Sequence, residues 1–465
     1  MTEDKVFIME KMSPKKAVLK LAIPTMLGVI VQLIYNLTDT FFVGKTNDPD
    51  QVAALSVVLP IFLIIQACGT TLAIGGGSYL SILLGKKEQK KANEVINTSI
   101  ALTAILGAIL TLIFVIFTHH IISAIGTSSG TYVYTKDYYQ IIVSFSIILA
   151  IQVTLCGLVR SEGSTGKSMI GVILGNVVNI ILDPIFIFTL GMGVKGAAWA
   201  TVIGNLIGVI YYLVYYINKK SMFKLGFKYI RISTENMKNM FKIGIPAALN
   251  QFIMSASFII VNIVAVKYGN NIVAAEGIYL RIGSIIALLT MGLAQGSQPF
   301  AGYNYGAGKY DRFTECFKTT ILYGTIMSIF FTFVIAIFPE YLFKAFIDDI
   351  EVIDIGVRML RTFAICTPFF GLQMSVMTMF QSIGKAPQAL LLGLSRQCIL
   401  FIPLLFILDN IFGLSGFIFA QPVADIITTG VSVILLLLLK KELHLKKESG
   451  YKKELGVKKI LQTNE

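Results

Sequence analysis

The sequence reads Lys20-Leu21-Ala22-Ile23-Pro24 at the start of its first apolar run, and Lys242-Ile243-Gly244-Ile245-Pro246 at the start of a later one. A displacement of about 221 residues also relates further pairs: Ala53-Ala54 and Ala274-Ala275, Gly75 and Gly296, Gly85 and Gly306, Ser161 and Ser382. Chance similarity between apolar segments is common, but a nearly constant displacement along the chain is not. The sequence therefore predicts two related halves.

The composition excludes a soluble protein. The 465 residues are 55% hydrophobic and only 14% charged, whereas soluble globular proteins carry about 25% charged residues. Too few polar side chains are present to cover soluble domains. The five cysteines stand singly, without C-x-x-C or metal-ligand spacing, which argues against a disulfide or zinc framework.

Long apolar runs predict a polytopic helical membrane protein. Twelve runs are each about long enough to cross a bilayer: 17–43, 52–84, 93–117, 133–158, 166–190, 194–217, 239–267, 272–305, 314–338, 354–380, 388–409 and 414–440. Bends or overhangs are expected in the two longest, 52–84 and 272–305, which contain glycine clusters. The predicted fold class is an all-α integral membrane protein with twelve transmembrane helices in two pseudo-symmetric six-helix bundles.

Basic residues are concentrated in alternate loops, in the linker between the halves and in the two tails. By the positive-inside rule both termini are predicted to be cytoplasmic, in the cytoplasmic (inner) membrane. Topology and contact with anionic lipid explain the net charge of +13, so no nucleic-acid partner is expected. The predicted division is a tail (1–16), a first lobe (17–217), a linker (218–238), a second lobe (239–440) and a basic tail (441–465).

Six spans per half give the two halves the same orientation, with a cleft between two bundles that can rock. This architecture favours an alternating-access transporter, for which a monomer is sufficient. Pro24 and Pro246 are predicted hinges, because proline within a span is tolerated and permits a bend.

Polar residues in the first half predict a cation site, because ionisable side chains inside a span are costly and mark functional sites. Asp39 lies in the first span and Asp183 in the fifth, and helical spacing brings amide and hydroxyl side chains to the same level. The predicted cation-coupling set is Asp39, Asp183, Asn179, Thr201, Asn36, Asn176 and Asn205. Such oxygens suit Na⁺, with Asp39 and Asp183 as ligands, and a close carboxylate pair equally suits proton exchange.

The repeat provides an internal control for this site. The displacement places the apolar pairs Ile260-Val261 and Leu404-Leu405 opposite Asp39 and Asp183. A purely structural role would have been needed in both halves. The coupling site is therefore expected in the first half alone.

The second half has charged residues of its own within its spans. Asp425 is expected either to pair with Arg396 or to face the cleft, and the roles of Glu276 and Arg281 stay open. The predicted substrate cleft consists of Gln32, Tyr35, Glu276, Gln298, Met374, Met377 and Asp425. Flexible methionines suit a promiscuous apolar pocket for small cationic molecules.

The sequence gives little support for a nucleotide-binding protein or for an intramembrane enzyme. Residues 161–168 end like a phosphate-binding loop, but they begin with serine and follow an apolar helix instead of a strand, so no ATP binding is predicted. The three histidines lie outside the spans, which leaves an intramembrane enzyme or metal centre without its usual groups. We expect neither an enzyme nor a cofactor.

At the level of motifs the chain resembles the multidrug and toxic compound extrusion (MATE) transporters, over nearly its whole length. It looks most similar to the bacterial branch that includes MepA and DinF. The resemblance is carried by Lys20–Pro24, Tyr35–Gly44, Asn179–Pro184, Gly193–Ala198 and Gln295–Arg312. It implies two six-helix lobes and export of organic cations driven by H⁺ or Na⁺.

The resemblance also implies site residues. The family's cation site in the first lobe would fall on Asp39, Asp183, Asn179 and Thr201. Several relatives place an acidic residue in the second-lobe cavity, but no motif here matches it.

The resulting prediction is a secondary active multidrug efflux antiporter that exports lipophilic organic cations in exchange for H⁺ or Na⁺ by alternating access. One alternative is a flippase of the same superfamily for a lipid-linked oligosaccharide or another lipid. A second is a non-transporting membrane receptor or scaffold. Few intramembrane arginines argue against the first alternative, and the duplicated halves with their acidic cluster argue against the second.

Overall fold

The computed structural model describes residues 7–46, 48–125, 127, 130–218 and 221–462, without the side chains of Pro49, Ala124 and 449–462. Eleven helices are long and apolar enough to cross a membrane, and the number is twelve when one bent pair counts as a single span. No strand occurs in the described ranges. The predicted class, an all-α multi-pass membrane protein, is confirmed.

The spans are numbered α1 to α12 in chain order. The first half contains α1 (Pro14–Gly44), α2 (Pro49–Gly85), α3 (Gln89–Ile116), α4 (Tyr132–Ser144 and Ser146–Ser161), α5 (Thr165–Pro184) and α6 (Val194–Ile217). The second half contains α7 (Thr234–Val266), α8 (Asn270–Gly306), α9 (Tyr310–Ile337), α10 (Ile350–Cys366 and Phe370–Ser382), α11 (Ala386–Leu394 and Phe401–Phe412) and α12 (Leu414–Gln462). Shorter helical segments are Phe7–Lys11, Thr118–Ala124, Ile185–Thr189, Phe227–Tyr229, Pro339–Lys344, Thr367–Phe369 and Ser395–Ile399.

Three spans are interrupted where the sequence suggested continuous runs. α4 bends by 54° between its two parts. A 3₁₀ turn divides α10 at Thr367–Phe369, and a π turn divides α11 at Ser395–Ile399. Pro24 and Pro246 lie inside the unbroken helices α1 and α7, so their role as hinges stays a prediction.

The longest predicted runs are unbroken as well. α2 and α8 each have 37 residues, which is more than a bilayer requires, so they overhang. The predicted tail 441–465 continues α12 as a helix to Gln462. The predicted tails and linker also include positions 1–6, 219–220 and 463–465, which lie outside the described residues.

Apolar side chains cover the outer faces of the bundle. Leu112 of α3 is 61% exposed, Ile326 of α9 is 55% exposed and Leu437 of α12 is 59% exposed. A soluble protein rarely exposes large contiguous apolar surface. These faces are the ones that lipid covers.

The two halves meet at the end of the molecule that carries the basic loops. Here α2 packs against α7 and α8. A Cβ atom at Gly75 would lie 2.1 Å from the carbonyl oxygen of Met240, and one at Gly85 would lie 2.0 Å from that of Tyr303. Only glycine permits this approach, and small residues are typical of close contacts between membrane helices. This contact, here called the seam, closes one end of the cleft.

The segment Phe7–Lys11 lies across the same end. Glu10 accepts a hydrogen bond from the Tyr303 hydroxyl, and Arg312 donates to the carbonyl oxygens of Met9 (3.2 Å) and Met12 (2.8 Å). The Met9 side chain packs against Gly163, in the turn between α4 and α5. The hydrogen bond from Tyr303 lowers the pKa of Glu10 below its ordinary value. The N-terminal segment therefore contacts both halves.

Candidate functional site

A buried polar cluster connects α1, α5 and α6. The Tyr35 and Thr201 hydroxyl oxygens lie 3.3 Å apart, and the Asn179 side-chain amide donates to the Thr201 hydroxyl over 3.5 Å. The Asn205 side-chain amide donates to the Thr201 carbonyl oxygen over 2.7 Å. Tyr35, Asn179 and Thr201 are all buried. Three spans thus meet at one hydroxyl group.

Glycines set the separation of α5 and α6 at this point. A Cβ atom at Gly204 would lie 2.5 Å from the Gly175 carbonyl oxygen and 3.1 Å from the Cβ of Asn179. No larger residue fits without displacing one helix. The close approach brings Asn179 within reach of Thr201.

Two carboxylates lie one helical turn beyond this cluster, because Asp39 follows Tyr35 by four residues and Asp183 follows Asn179 by four. Asp39 is 9% exposed and Asp183 is fully buried. Four buried oxygens have no hydrogen-bond partner among the described residues: Asp39 Oδ1, Asn179 Oδ1 and both carboxylate oxygens of Asp183. Buried oxygens without partners are costly, and they favour a bound cation or proton.

A small cavity of about 10 Å³ adjoins the cluster, enough for one water-sized particle. Its polar lining comes from Tyr35, Gln152, Asn176, Asn179, Thr201 and Asn205. The predicted residues Asn176 and Asn205 thus lie beside Thr201, and Asn176 also donates to Gln32 over 3.4 Å. Gln152 of α4 was not predicted as a site residue, although a glutamine inside an apolar run is a signal of a functional site.

Asn36 has no hydrogen bond to the cluster among the described residues, and its role in ion coupling stays a prediction. It is exposed and lines the large cavity between the halves. The prediction placed Asn36, three residues before Asp39, on the same face of α1 as that carboxylate, and both residues line the cavity. Tyr35, four residues before Asp39, is the residue of α1 that contacts Thr201.

The large cavity has a volume of about 960 Å³ and is lined by both halves. The predicted cleft residues Gln32, Tyr35, Glu276, Met374 and Met377 all line it. Asp39 lines it too, whereas Asp183 lies behind the wall. Asp39 therefore belongs both to the candidate ion site and to the wall of the cavity. Tyr138 of α4, which was not predicted from the sequence, lies in the same wall.

Two predicted cleft residues lie elsewhere. Gln298 is buried between α8 and α10, where its amide donates to the Thr378 carbonyl (3.4 Å) and to Gln381 (3.3 Å). Asp425 is fully buried and accepts a 2.8 Å hydrogen bond from Arg396 Nε. Arg396, and not Asp425, lines the cavity, because the ion pair turns the carboxylate inward. Arg281 is exposed on α8.

The sequence matches the MatE family model twice, over residues 24–185 and 246–407. The two matches begin at Pro24 and Pro246, in agreement with the internal repeat. Among curated proteins, the chain is similar to the multidrug export protein MepA of Staphylococcus saprophyticus, with 29% identity over 95% of this chain and 98% of that protein. MepA of Staphylococcus aureus strain MSSA476 is 29% identical over the same shares.

Solved structures match at the level of the fold. One is the outward-facing conformation of a multidrug resistance MATE family transporter of the MOP superfamily, with a TM-score of 0.90 and 24% identity over 96% of this chain and 100% of that chain. Another is a MOP superfamily transporter from Pyrococcus furiosus, described as having a binding pocket of reverse polarity that suggests a different function. It matches with a TM-score of 0.89 and 24% identity over 96% of this chain and 99% of that chain.

Proposed function

The chain belongs to the MatE family, and from that premise we propose that it is a secondary active multidrug efflux antiporter of the cytoplasmic membrane. It exports lipophilic organic cations in exchange for H⁺ or Na⁺. The observation that carries the proposal is the set of buried, unpartnered oxygens on Asp39, Asn179 and Asp183, next to a cavity of about 960 Å³. The names of the MepA relatives support the drug-export part.

The coupling ion enters through the cavity. Asp39 lines the cavity and Asp183 lies behind it, so an incoming ion meets Asp39 first. Two ionised carboxylates in one buried site repel each other, and a bound proton or Na⁺ offsets both that repulsion and the cost of desolvation. Transport requires that the ion bind the two conformations with different affinity, because equal affinity drives nothing.

The conformation fits a state that has released its substrate. With the basic loops in the cytoplasm, as the positive-inside rule suggests, the seam closes the cytoplasmic side and the cavity opens outward. In this state an external ion reaches Asp39. Its binding favours the return to the inward-facing state, in which the cavity accepts a new substrate from the cytoplasm or the inner leaflet.

The cavity wall supplies contacts for an organic cation. Glu276 lines the cavity, and its carboxylate has no hydrogen-bond or ion-pair partner in the part of the chain that the structure describes. Met374 and Met377 add polarisable surface that adapts to different shapes. No nucleotide, cofactor or second subunit is part of the proposal.

Ethidium efflux from vesicles that contain the protein tests the proposal, with pH and Na⁺ gradients imposed separately. We expect one gradient to drive efflux, and that result names the coupling ion. Efflux under neither gradient, with the protein present in the membrane, would contradict the proposal and favour a lipid or metabolite as cargo.

A further inference from the structure

Residues 224–232 of the linker between the halves, here called the linker segment, are attached to α3. The Asn97 side-chain amide donates a hydrogen bond to the carbonyl oxygen of Lys224 over 2.9 Å. The Thr98 hydroxyl accepts from the backbone N–H of Arg231 and donates to its carbonyl oxygen, both over 3.2 Å. These bonds use backbone groups of the linker segment, so they fix its course and leave its side chains available.

The linker segment lies on the outer face of the bundle. Asn97, Ile105 and Leu112 share one stripe of α3, because they are spaced by eight and seven residues. Ile105 and Leu112 are exposed on the face that lipid covers, whereas Asn97 is buried and bonded to the linker segment. The linker segment therefore covers the same face of α3 closer to the seam.

The level of this attachment matches the boundary of a bilayer's hydrocarbon core. α3 continues beyond Thr98 to Ile116, and at about 1.5 Å per residue this length is roughly 27 Å. The hydrocarbon core of a bilayer is about 30 Å thick. A bilayer that covers the apolar part of α3 therefore places its headgroups at the linker segment.

Two apolar side chains of the linker segment point away from the protein. Phe227 is 92% exposed and Ile232 is 64% exposed. Tyr229 lies in the same short turn as Phe227, with the Lys228 ammonium group 5.1 Å from the centre of its ring. Aromatic residues are enriched at the membrane interface, where apolar side chains enter the boundary between headgroups and acyl chains. The composition is typical of a segment that lies in this boundary.

Three exposed basic side chains accompany the apolar ones. Lys224 and Lys228 have no ion-pair partner in the part of the chain that the structure describes. Arg231 has a carboxylate oxygen of Glu94 at 3.6 Å, and 67% of its own side chain stays exposed. Long basic side chains at this level reach the headgroup phosphates, and each one strengthens binding to an anionic membrane surface.

We propose that the linker segment is a binding surface for anionic phospholipids in the leaflet next to the seam. Phe227 and Ile232 enter the acyl-chain region of that leaflet. The phosphate groups meet the basic side chains Lys224, Lys228 and Arg231. An acidic soluble protein would meet the same charges, but the attachment to the lipid-covered face of α3 favours lipid. The inference is independent of the coupling ion and of the exported substrate.

A reporter tryptophan in the linker segment tests the contact, because Trp199 is the one tryptophan of the chain. The variant Trp199→Phe/Phe227→Trp is reconstituted at full length into vesicles of equal phosphatidylglycerol and phosphatidylcholine. Bromine on the acyl chains of one lipid or the other quenches a tryptophan in contact with that lipid. We expect quenching by both brominated lipids, with a relative binding constant that favours phosphatidylglycerol at least about threefold.

Matched variants of the reporter protein separate a site from the general surface charge. The test variant replaces the basic side chains of the linker segment: Lys224→Gln/Lys228→Gln/Arg231→Gln. The control removes the same charge from the exposed turn between α2 and α3, at the same end of the molecule: Lys86→Gln/Lys87→Gln/Lys90→Gln.

The two variants should differ in lipid preference alone. We expect the preference for phosphatidylglycerol to fall to about onefold in the test variant, with quenching retained, and to stay at least about threefold in the control. Lys224→Gln/Lys228→Gln keeps the pair of Arg231 and Glu94, and it serves as the test when the triple variant does not fold.

Three outcomes would overturn the lipid surface. Emission typical of water, without quenching by either brominated lipid, leaves the linker segment to a soluble partner. Equal quenching by the two lipids before any charge is removed excludes a preference for anionic lipid. An equal loss of preference in the test and control variants assigns the effect to the overall surface charge. The export function is measured separately by ethidium efflux and stands in each case.

Discussion

The Tyr35 and Thr201 hydroxyl oxygens lie 3.3 Å apart, and this contact joins α1 to α6 one helical turn before Asp39. Thr201 also accepts from the Asn179 amide, so one hydroxyl group connects the two helices that carry the carboxylates. The position of Asp39 relative to Asp183 therefore depends on Thr201. Any ion held between the two carboxylates depends on it as well.

Replacement of Thr201 should weaken ion coupling. Thr201→Val keeps the shape but leaves Tyr35 and Asn179 without a partner, at a cost of about 1–3 kcal/mol. We expect a rise of about 5- to 150-fold in the ion concentration for half-maximal ethidium efflux. Thr201→Ser retains the hydroxyl and should stay close to the wild type. Equal behaviour of the valine and serine variants would exclude this role of the hydroxyl.

Gly204→Ala should destabilise the first half. The new Cβ would lie 2.5 Å from the Gly175 carbonyl oxygen, and overpacking of this kind costs about 1–3 kcal/mol. Thermal unfolding in detergent should show a Tm several degrees lower. Gly166→Ala in α5 is the matched control, because no atom lies within 4 Å of its Cβ position and alanine favours a helix over glycine. A Tm unchanged in both variants would contradict the close approach of α5 and α6.

The contact of Glu10 with Tyr303 should favour the state in which the seam is closed. Tyr303→Phe removes the hydroxyl that bridges to the N-terminal segment, whereas Tyr305→Phe removes one that is bonded to Lys446 within the second half. Spin labels at Lys167 and Lys309, without the native cysteines, report the separation of the halves at this end. We expect a larger population of long distances in Tyr303→Phe alone.

The pH dependence of that contact follows from the lowered pKa of Glu10. A carboxylate with a lowered pKa contributes its full stabilisation above the ordinary carboxyl pKa and loses it as the pH falls through the lowered value. The distance distribution of the wild type should therefore stay constant across neutral pH. Long distances that appear near pH 7 would contradict this assignment.

Much of the fold could be predicted from the sequence, because apolar run length determines where spans lie. The bend in α4 could not, since neither proline nor glycine occurs at Phe145. It depends on tertiary contacts: the Ser146 hydroxyl lies 2.6 Å from that of Thr111 on α3, and the Phe145 ring packs on Trp199 of α6. Such contacts leave no local pattern in the sequence.

The sequence predicts how deep the candidate-site residues lie along their helices, but it does not predict how each helix is rotated about its own axis. Buried polar residues on α1, α5 and α6 were expected at one level, and the structure brings Asp183, Asn179 and Thr201 to neighbouring turns. The rotation of α1 is set by packing, which turns Tyr35 inward and Asn36 toward the cavity. Gln298 and Asp425 each form a hydrogen bond with a residue of another helix, more than 25 residues away in the chain. The local sequence does not reveal such partners.

The most direct test of the central claim measures coupling in reverse. In proteoliposomes an imposed ethidium gradient should drive H⁺ or Na⁺ in the opposite direction, because coupling between two ligands is reciprocal. Wild type and Asp354→Asn, an exposed carboxylate of α10, should show the same ion flux. Asp183→Asn, expressed at the normal level, should lose at least nine-tenths of it, because the amide neither releases a proton nor balances the charge of Na⁺. Wild-type ion flux in Asp183→Asn would contradict the assignment of the coupling site to the first half.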